Sequence, residues 1–169
     1  MKNHGGFIDI QSEIGKGTSF IVYVPTVEAR VSRAGTRSEQ VIGGKEHILI
    51  VDDEETIRSL VKDILESMGY TVLGAADGRQ AVAMYSERGT AIDLVILDMA
   101  MPGMAGPETF ERLIAMNPAL KVIISTGYAE DERARDLIVK GVKAFVQKPF
   151  RIDELAGAVR KVLDGIKVA

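Results

Sequence analysis

Five short, almost wholly apolar runs recur between longer stretches of helical period, and that alternation restricts the chain more than any other feature. The runs are HILIVDD (47–53), YTVLGA (70–75), DLVILD (93–98), KVIIST (121–126) and KAFVQK (143–148). Between and after them, 54–67, 78–87, 107–116, 130–139 and 152–166 carry apolar residues at three- and four-residue spacing, as in Ile57, Leu60, Val61, Ile64 and Leu65. A strand with one wet face alternates apolar and polar side chains. The cores Ile48–Val51, Leu94–Leu97 and Val122–Ile124 do not, so both of their faces must be covered. Short strands alternating with helices meet that demand as one parallel sheet with helices on both sides. The expected fold class is α/β, a five-stranded parallel doubly wound sheet.

Ahead of this region the pattern differs. Residues 6–12 (GFIDIQS) and 18–24 (TSFIVYV) each alternate apolar and polar side chains, with Gly15-Lys16-Gly17 as turn residues between them, so a β-hairpin is expected. From Pro25 to Lys45, Thr, Ser, Arg, Glu and Gly dominate without a sustained apolar period, which is the composition of a linker. The expected organisation is a terminal fragment over 1–27, a linker over 28–45 and an α/β domain over 46–169. An isolated two-stranded hairpin is marginal in water, and its unpaired edges invite a further strand. Residues 1–27 are therefore expected to be mobile, or ordered by pairing with a second copy or a neighbour.

The 169 residues contain no cysteine and two histidines, His4 and His47. Disulfides, thiolate metal sites, cysteine nucleophiles and His-rich metal sites are excluded, which leaves carboxylates, hydroxyls and lysines for any chemistry. The net charge of −3 is unevenly divided: residues 1–45 hold six Lys/Arg against four Asp/Glu, and residues 46–169 hold fifteen against twenty. The acidic larger part lacks the clustered positive charge of a nucleic-acid surface, so no nucleic-acid partner is expected. No uncharged apolar run approaches the ~18–20 residues of a membrane helix, and no basic segment precedes a signal-like apolar one. A cytoplasmic location without membrane contact is expected.

Open parallel sheets bind ligands beyond the carboxyl ends of their strands. There the first strand ends in Asp52-Asp53, the third in Asp98, the fourth in Ser125-Thr126 and the fifth in Lys148-Pro149. Singly, an Asp after a strand is a cap or turn former, a Ser or Thr an ST-turn, and a Lys a solvated side chain. Together, three carboxylates at one end of a sheet repel in a partly desolvated cleft. A hard divalent cation such as Mg²⁺, which takes carboxylate, water and phosphate oxygens, resolves that conflict. With a lysine charge and a hydroxyl donor added, the constellation suits a phosphoryl group, with one accessible carboxylate as nucleophile.

Asp52-Asp53, LVILDMAMPGMAG (94–106), IISTGY (123–128) and FVQKPF (145–150) together resemble the receiver domain of two-component response regulators, over residues 46–167. The resemblance implies a flavodoxin-like (βα)5 sheet of order 2-1-3-4-5. It implies Asp98 as phosphoacceptor and Mg²⁺ as cofactor, with Asp53 a direct ligand, Asp52 ligating or holding metal-bound water, and Asp98 and the backbone carbonyl of Ala100 completing the site. By the same resemblance Thr126 donates its hydroxyl to a phosphoryl oxygen, and Lys148 pairs with the phosphoryl group, aimed inward by a cis Lys148-Pro149 peptide. Thr126 is preferred to Ser125 because it stands twenty-two residues before Lys148, the family interval, and is followed by the small Gly127. Phe145 occupies the place of the family's aromatic switch residue, and reads equally as an edge-strand aromatic covering the core. Ala100 and Tyr128 stand at the two positions that tune acyl-phosphate hydrolysis. Gly106-Pro107 reads as a helix start with proline at its first position.

NHGGFIDIQSEIGKGTSFIVYVP (3–25) resembles the end of a histidine-kinase ATP-binding domain, whose last glycine-rich box, G-x-G-T, corresponds to Gly15-Lys16-Gly17-Thr18. Alone, such a turn is ordinary in hairpins. A P-loop is excluded, because GxxxxGK(S/T) would need glycine at Ile10 and Ser or Thr at Gly17. Kinase tail, linker and receiver in that order are the layout of a hybrid histidine kinase. The kinase's phosphorylatable histidine and its other nucleotide boxes are not in this sequence, so no appreciable ATP binding is expected, and the only catalysis expected is self-phosphorylation and dephosphorylation. The expected function is a phosphorelay receiver that takes a phosphoryl group from the phosphohistidine of a histidine kinase, in cis in the parent. Onward transfer would go to a histidine phosphotransfer protein or a response regulator. Two alternatives fit less well. A haloacid-dehalogenase-like phosphatase wants D-x-D where Asp98-Met99-Ala100 stands, and a non-phosphorylated receiver-like interaction module would have lost the acceptor, metal ligands or lysine that are all present here.

Overall fold

The computed structural model describes residues 7–23, 43–127 and 137–166, and the chain divides into two units, 1–37 and 38–169. The first holds the expected hairpin, with strand β1 (Phe7–Glu13) antiparallel to β2 (Gly17–Tyr23) and Phe7 opposite Tyr23. Gly15 (φ 80°) and Gly17 (φ 101°) take left-handed conformations where the chain reverses, and Lys16 N–H donates to the Glu13 carbonyl at 3.0 Å. The register puts Ile8, Ile10, Phe20 and Val22 on one face, while Phe7 and Tyr23 stack at 4.3 Å on the other. Every residue of both strands is exposed.

In the second unit β3 (His47–Val51), β4 (Thr71–Ala75), β5 (Leu94–Asp98), β6 (Lys121–Thr126) and β7 (Ala144–Gln147) form one parallel sheet of order β4-β3-β5-β6-β7. Counted within this unit the order is 2-1-3-4-5, the flavodoxin-like arrangement. Four described helices, α1 (Glu55–Ser67), α2 (Gly78–Arg88), α3 (Gly106–Met116) and α4 (Ile152–Leu163), follow strands β3, β4, β5 and β7. Most of the helix expected over 130–139, the linker up to residue 42 and Tyr128 lie outside the described residues.

The sheet is buried on both faces because successive side chains alternate sides. Ile48, Ile50, Leu94, Ile96 and Ile123 pack with Val61 and Leu65 of α1 and Leu155 and Val159 of α4. Leu49, Val51, Val95, Leu97, Val122 and Ile124 pack with Ala81 and Tyr85 of α2 and Phe110 and Leu113 of α3. This two-sided core fixes the strand ends that carry the polar residues. No helix among the described residues is long and apolar enough to cross a membrane.

One boundary corrects the sequence reading. Gly106, not Pro107, is the first residue of α3, so the proline stands second. A Cβ at Gly106 would lie 2.5 Å from the Asp98 carbonyl oxygen and 2.6 Å from Met99 Cα. These are backbone atoms at the end of β5 that cannot rotate away. Gly106→Ala should therefore cost about 1–3 kcal/mol of stability, read as a lower urea midpoint at unchanged slope.

Candidate functional site

The polar residues at the carboxyl ends of the strands converge because the sheet aligns those ends. Asp52 follows β3 directly and Asp98 closes β5; both are buried, whereas Asp53 is exposed. Lys148, just past β7, donates from Nζ to Asp52 Oδ2 at 2.7 Å and stands 3.2 Å from Asp98 Oδ2. Burial pulls the lysine's pKa down, but the hydrogen bond to Asp52 and the charges of Asp98 and Asp52 more than offset it, leaving Lys148 above the ordinary lysine value. The Lys148-Pro149 peptide is cis.

The bland role of Asp52 is also present. Its Oδ1 accepts from the Glu54 N–H at 3.0 Å, at the start of α1. The carboxylate thus has one oxygen on the helix start and the other on the lysine.

One carboxylate oxygen from each of Asp52, Asp53 and Asp98 lies within 4.8 Å of the other two. This donor set is hard oxygen throughout, with no nitrogen or sulfur, which fits Mg²⁺ better than softer metals. Ala100 is exposed in the bend after β5. Thr126 ends β6 half-exposed, and its carbonyl accepts from Lys148 N–H at 2.7 Å, tying the β6 and β7 ends together. Phe145 is half-buried against the core layer of α2 and α3.

Two features escape the sequence reading. Arg58, one turn into α1, donates from Nη1 to the Asp52 carbonyl at 2.7 Å, bracing the backbone of the acidic pair. A basic residue on the helix that follows the pair was the available signal. Ser125, set aside in favour of Thr126, is buried, and its Oγ has no hydrogen-bond partner among the described residues.

A second charged group lies at the amino end of the strands. Arg160 of α4 donates from Nη2 to Glu46 Oε1 at 2.7 Å and to Asp164 Oδ1 at 2.8 Å, and from Nη1 to the Tyr70 hydroxyl at 3.3 Å. The hydrogen bond from Arg160 holds the Glu46 carboxyl below its ordinary value against the opposing effect of burial. A depressed carboxylate contributes stability above its unfolded pKa and loses it as pH falls through the folded one. Glu46→Gln should therefore flatten the acid limb of the stability curve below about pH 4.5. The change should be at most about 1 kcal/mol because the pair is partly solvated, and thermal melts across pH 3–7 would measure it.

Comparison with known proteins places this geometry. Residues 48–160 match the response regulator receiver domain family. The chain is 36% identical to the sensor kinase CckA of Brucella abortus, over 97% of its own length and 18% of CckA's. It is 39% identical to sporulation initiation phosphotransferase F of Bacillus subtilis, over 70% of its own length and 94% of that protein. The fold matches the Borrelia burgdorferi CheX–CheY–BeF3–Mg²⁺ complex with a TM-score of 0.67 at 30% identity, covering 69% of this chain and 88% of that one. The family binds Mg²⁺ at an acidic pocket of this kind. An aligned parallel sheet, a lysine closing on two buried aspartates and a match running through all five strands have one common source: the chain belongs to the response regulator receiver domain family of two-component signalling.

Proposed function

We propose that the chain accepts a phosphoryl group from a phosphohistidine onto Asp98, with Lys148 and Thr126 binding the group and Mg²⁺ held by Asp52, Asp53, Asp98 and the Ala100 carbonyl. The observation that carries this reading is the convergence of the Lys148 ammonium on Asp52 and Asp98, 2.7 and 3.2 Å away, beside a third carboxylate. In the step itself an Asp98 oxygen forms a bond to phosphorus as the P–N bond to the donor imidazole breaks. The bonding pair returns to the ring nitrogen, leaving a neutral imidazole once the ring holds one proton. When bound, Mg²⁺ offsets charge on the oxygens of the moving group. Lys148 is already held at the site and exchanges its carboxylate partners for phosphoryl oxygens. Thr126, at the edge of the same opening, supplies a neutral donor, and Phe145, against the neighbouring core layer, is the side chain whose position follows Thr126.

The donor is a histidine kinase, in cis in the parent protein, and a histidine phosphotransfer protein or response regulator receives the group. We read 1–27 as the terminal piece of a kinase ATP-binding domain, 28–45 as a linker and 46–169 as the receiver, in a cytoplasmic setting. The match to CckA across 97% of the chain, hairpin included, supports that layout. The test is incubation with acetyl phosphate: a labelled chain with Mg²⁺ and none in excess chelator is expected, and failure to label with Mg²⁺ overturns the reading.

Ala100 offers no side-chain group to orient a water against the acyl phosphate, so self-dephosphorylation is slow, which suits onward transfer. Ala100→Asn should shorten the phosphoryl half-life by about tenfold, followed by loss of label after the donor is removed. An unchanged half-life would count against it. Tyr128, the companion position, lies outside the described residues.

A further inference from the structure

Strand register places a buried hydroxyl next to the acceptor. Ser125 pairs with Asp98 of β5 on one side and Val146 of β7 on the other, and paired residues of a parallel sheet stand on the same face. Two residues earlier on that face, Ile96, Ile123 and Ala144 form a row of the core. Asp98, Ser125 and Val146 make the last row before the strands end. Thr126, one residue on, alternates to the opposite face, so the two hydroxyls do not duplicate one another.

Ser125 is 3% exposed, and its Oγ has no partner among the described residues. An unpaired buried hydroxyl is a standing cost in the state that contains it. If a second state gives it an acceptor, the difference shifts the equilibrium toward that state. The only reaction proposed at this sheet edge adds anionic oxygens, and it adds them to the residue beside Ser125.

We propose that Ser125 is a further phosphoryl-binding residue of the phosphorylated state, its hydroxyl donating to an oxygen of the Asp98 acyl phosphate once that group is formed. This rests on Asp98 as acceptor and adds a donor to those named above. Beryllofluoride with Mg²⁺, a phosphoryl mimic that adds to an aspartate carboxylate, is the probe. It would be titrated by calorimetry into the wild type, Ser125→Ala and Asp98→Asn, alongside Mg²⁺ alone and melting curves in chelator.

The wild type should bind the mimic and Asp98→Asn should not. Ser125→Ala should bind Mg²⁺ alone as the wild type does, melt in chelator at the same temperature or higher, and bind beryllofluoride about tenfold more weakly. Equal beryllofluoride affinity in Ser125→Ala overturns the proposal while leaving Asp98 as acceptor intact. A parallel loss of Mg²⁺ affinity or of melting temperature also overturns it, because Ser125 would then act through packing. Absence of binding by the wild type overturns both readings.

Discussion

Asp98→Asn should reduce phosphoryl incorporation from acetyl phosphate by on the order of 10³-fold or more, to the level seen with excess chelator. Three carboxylates share the site, and their positions separate their roles. Asp53 is exposed, and Asp52 has both oxygens engaged, one by the Glu54 N–H and one by Lys148. Asp98 is buried beside the same lysine, which can follow an oxygen of the transferred group. The amide of Asn keeps the size and loses the nucleophilic charge, so folding should survive while chemistry does not. Mass spectrometry of the intact chain would read the outcome. Equal labelling of Asp98→Asn would move the acceptor elsewhere.

Lys148→Met should have opposite effects on metal binding and on phosphoryl transfer. In the unmodified protein the ammonium is the counterion of Asp52 and Asp98, whose side chains are 5% and 8% exposed, and a divalent cation competes for the same charges. Removing the lysine leaves two buried carboxylates uncompensated, which costs about 3 kcal/mol in the absence of metal. Mg²⁺ then meets less competition and should bind roughly tenfold more tightly, restoring much of the lost stability. Phosphoryl transfer should nevertheless fall about 10²–10³-fold, because a fixed positive group no longer meets the developing charge. Calorimetry, melts with and without Mg²⁺, and labelling rates would measure the three effects. Weaker Mg²⁺ binding in Lys148→Met would show that the ammonium supports the metal site rather than competing with it.

The order of elements was legible without coordinates because burial leaves a local period. Ile48–Val51 could not be a half-exposed strand, and Ile57, Val61, Ile64 and Leu65 line the covered side of α1, whereas Leu60, which shares their period, is exposed at the margin of that stripe. The strand-end aspartates, hydroxyls and lysine were legible for a related reason, since each interrupts or follows an apolar run. Sheet order was not contained in periodicity; it came from resemblance, because a strand buried on both faces carries no mark of which neighbour it pairs with.

The choice among partners belonged to the tertiary structure alone. Lys148 and Asp52 are 96 residues apart in sequence, and nothing local specifies that the ammonium lies nearer Asp52 than Asp98. The brace from Arg58 to the Asp52 carbonyl and the glycine required at 106 depend on how α1 and α3 dock on the strand ends. Ser125 is the sharpest case: its sequence position made it the lesser of two adjacent hydroxyls, while the register of β5, β6 and β7 set it buried beside Asp98. Sequence period reports whether a residue is covered. Which atoms cover it is decided by long-range register, where a shift of one residue turns every side chain to the other face.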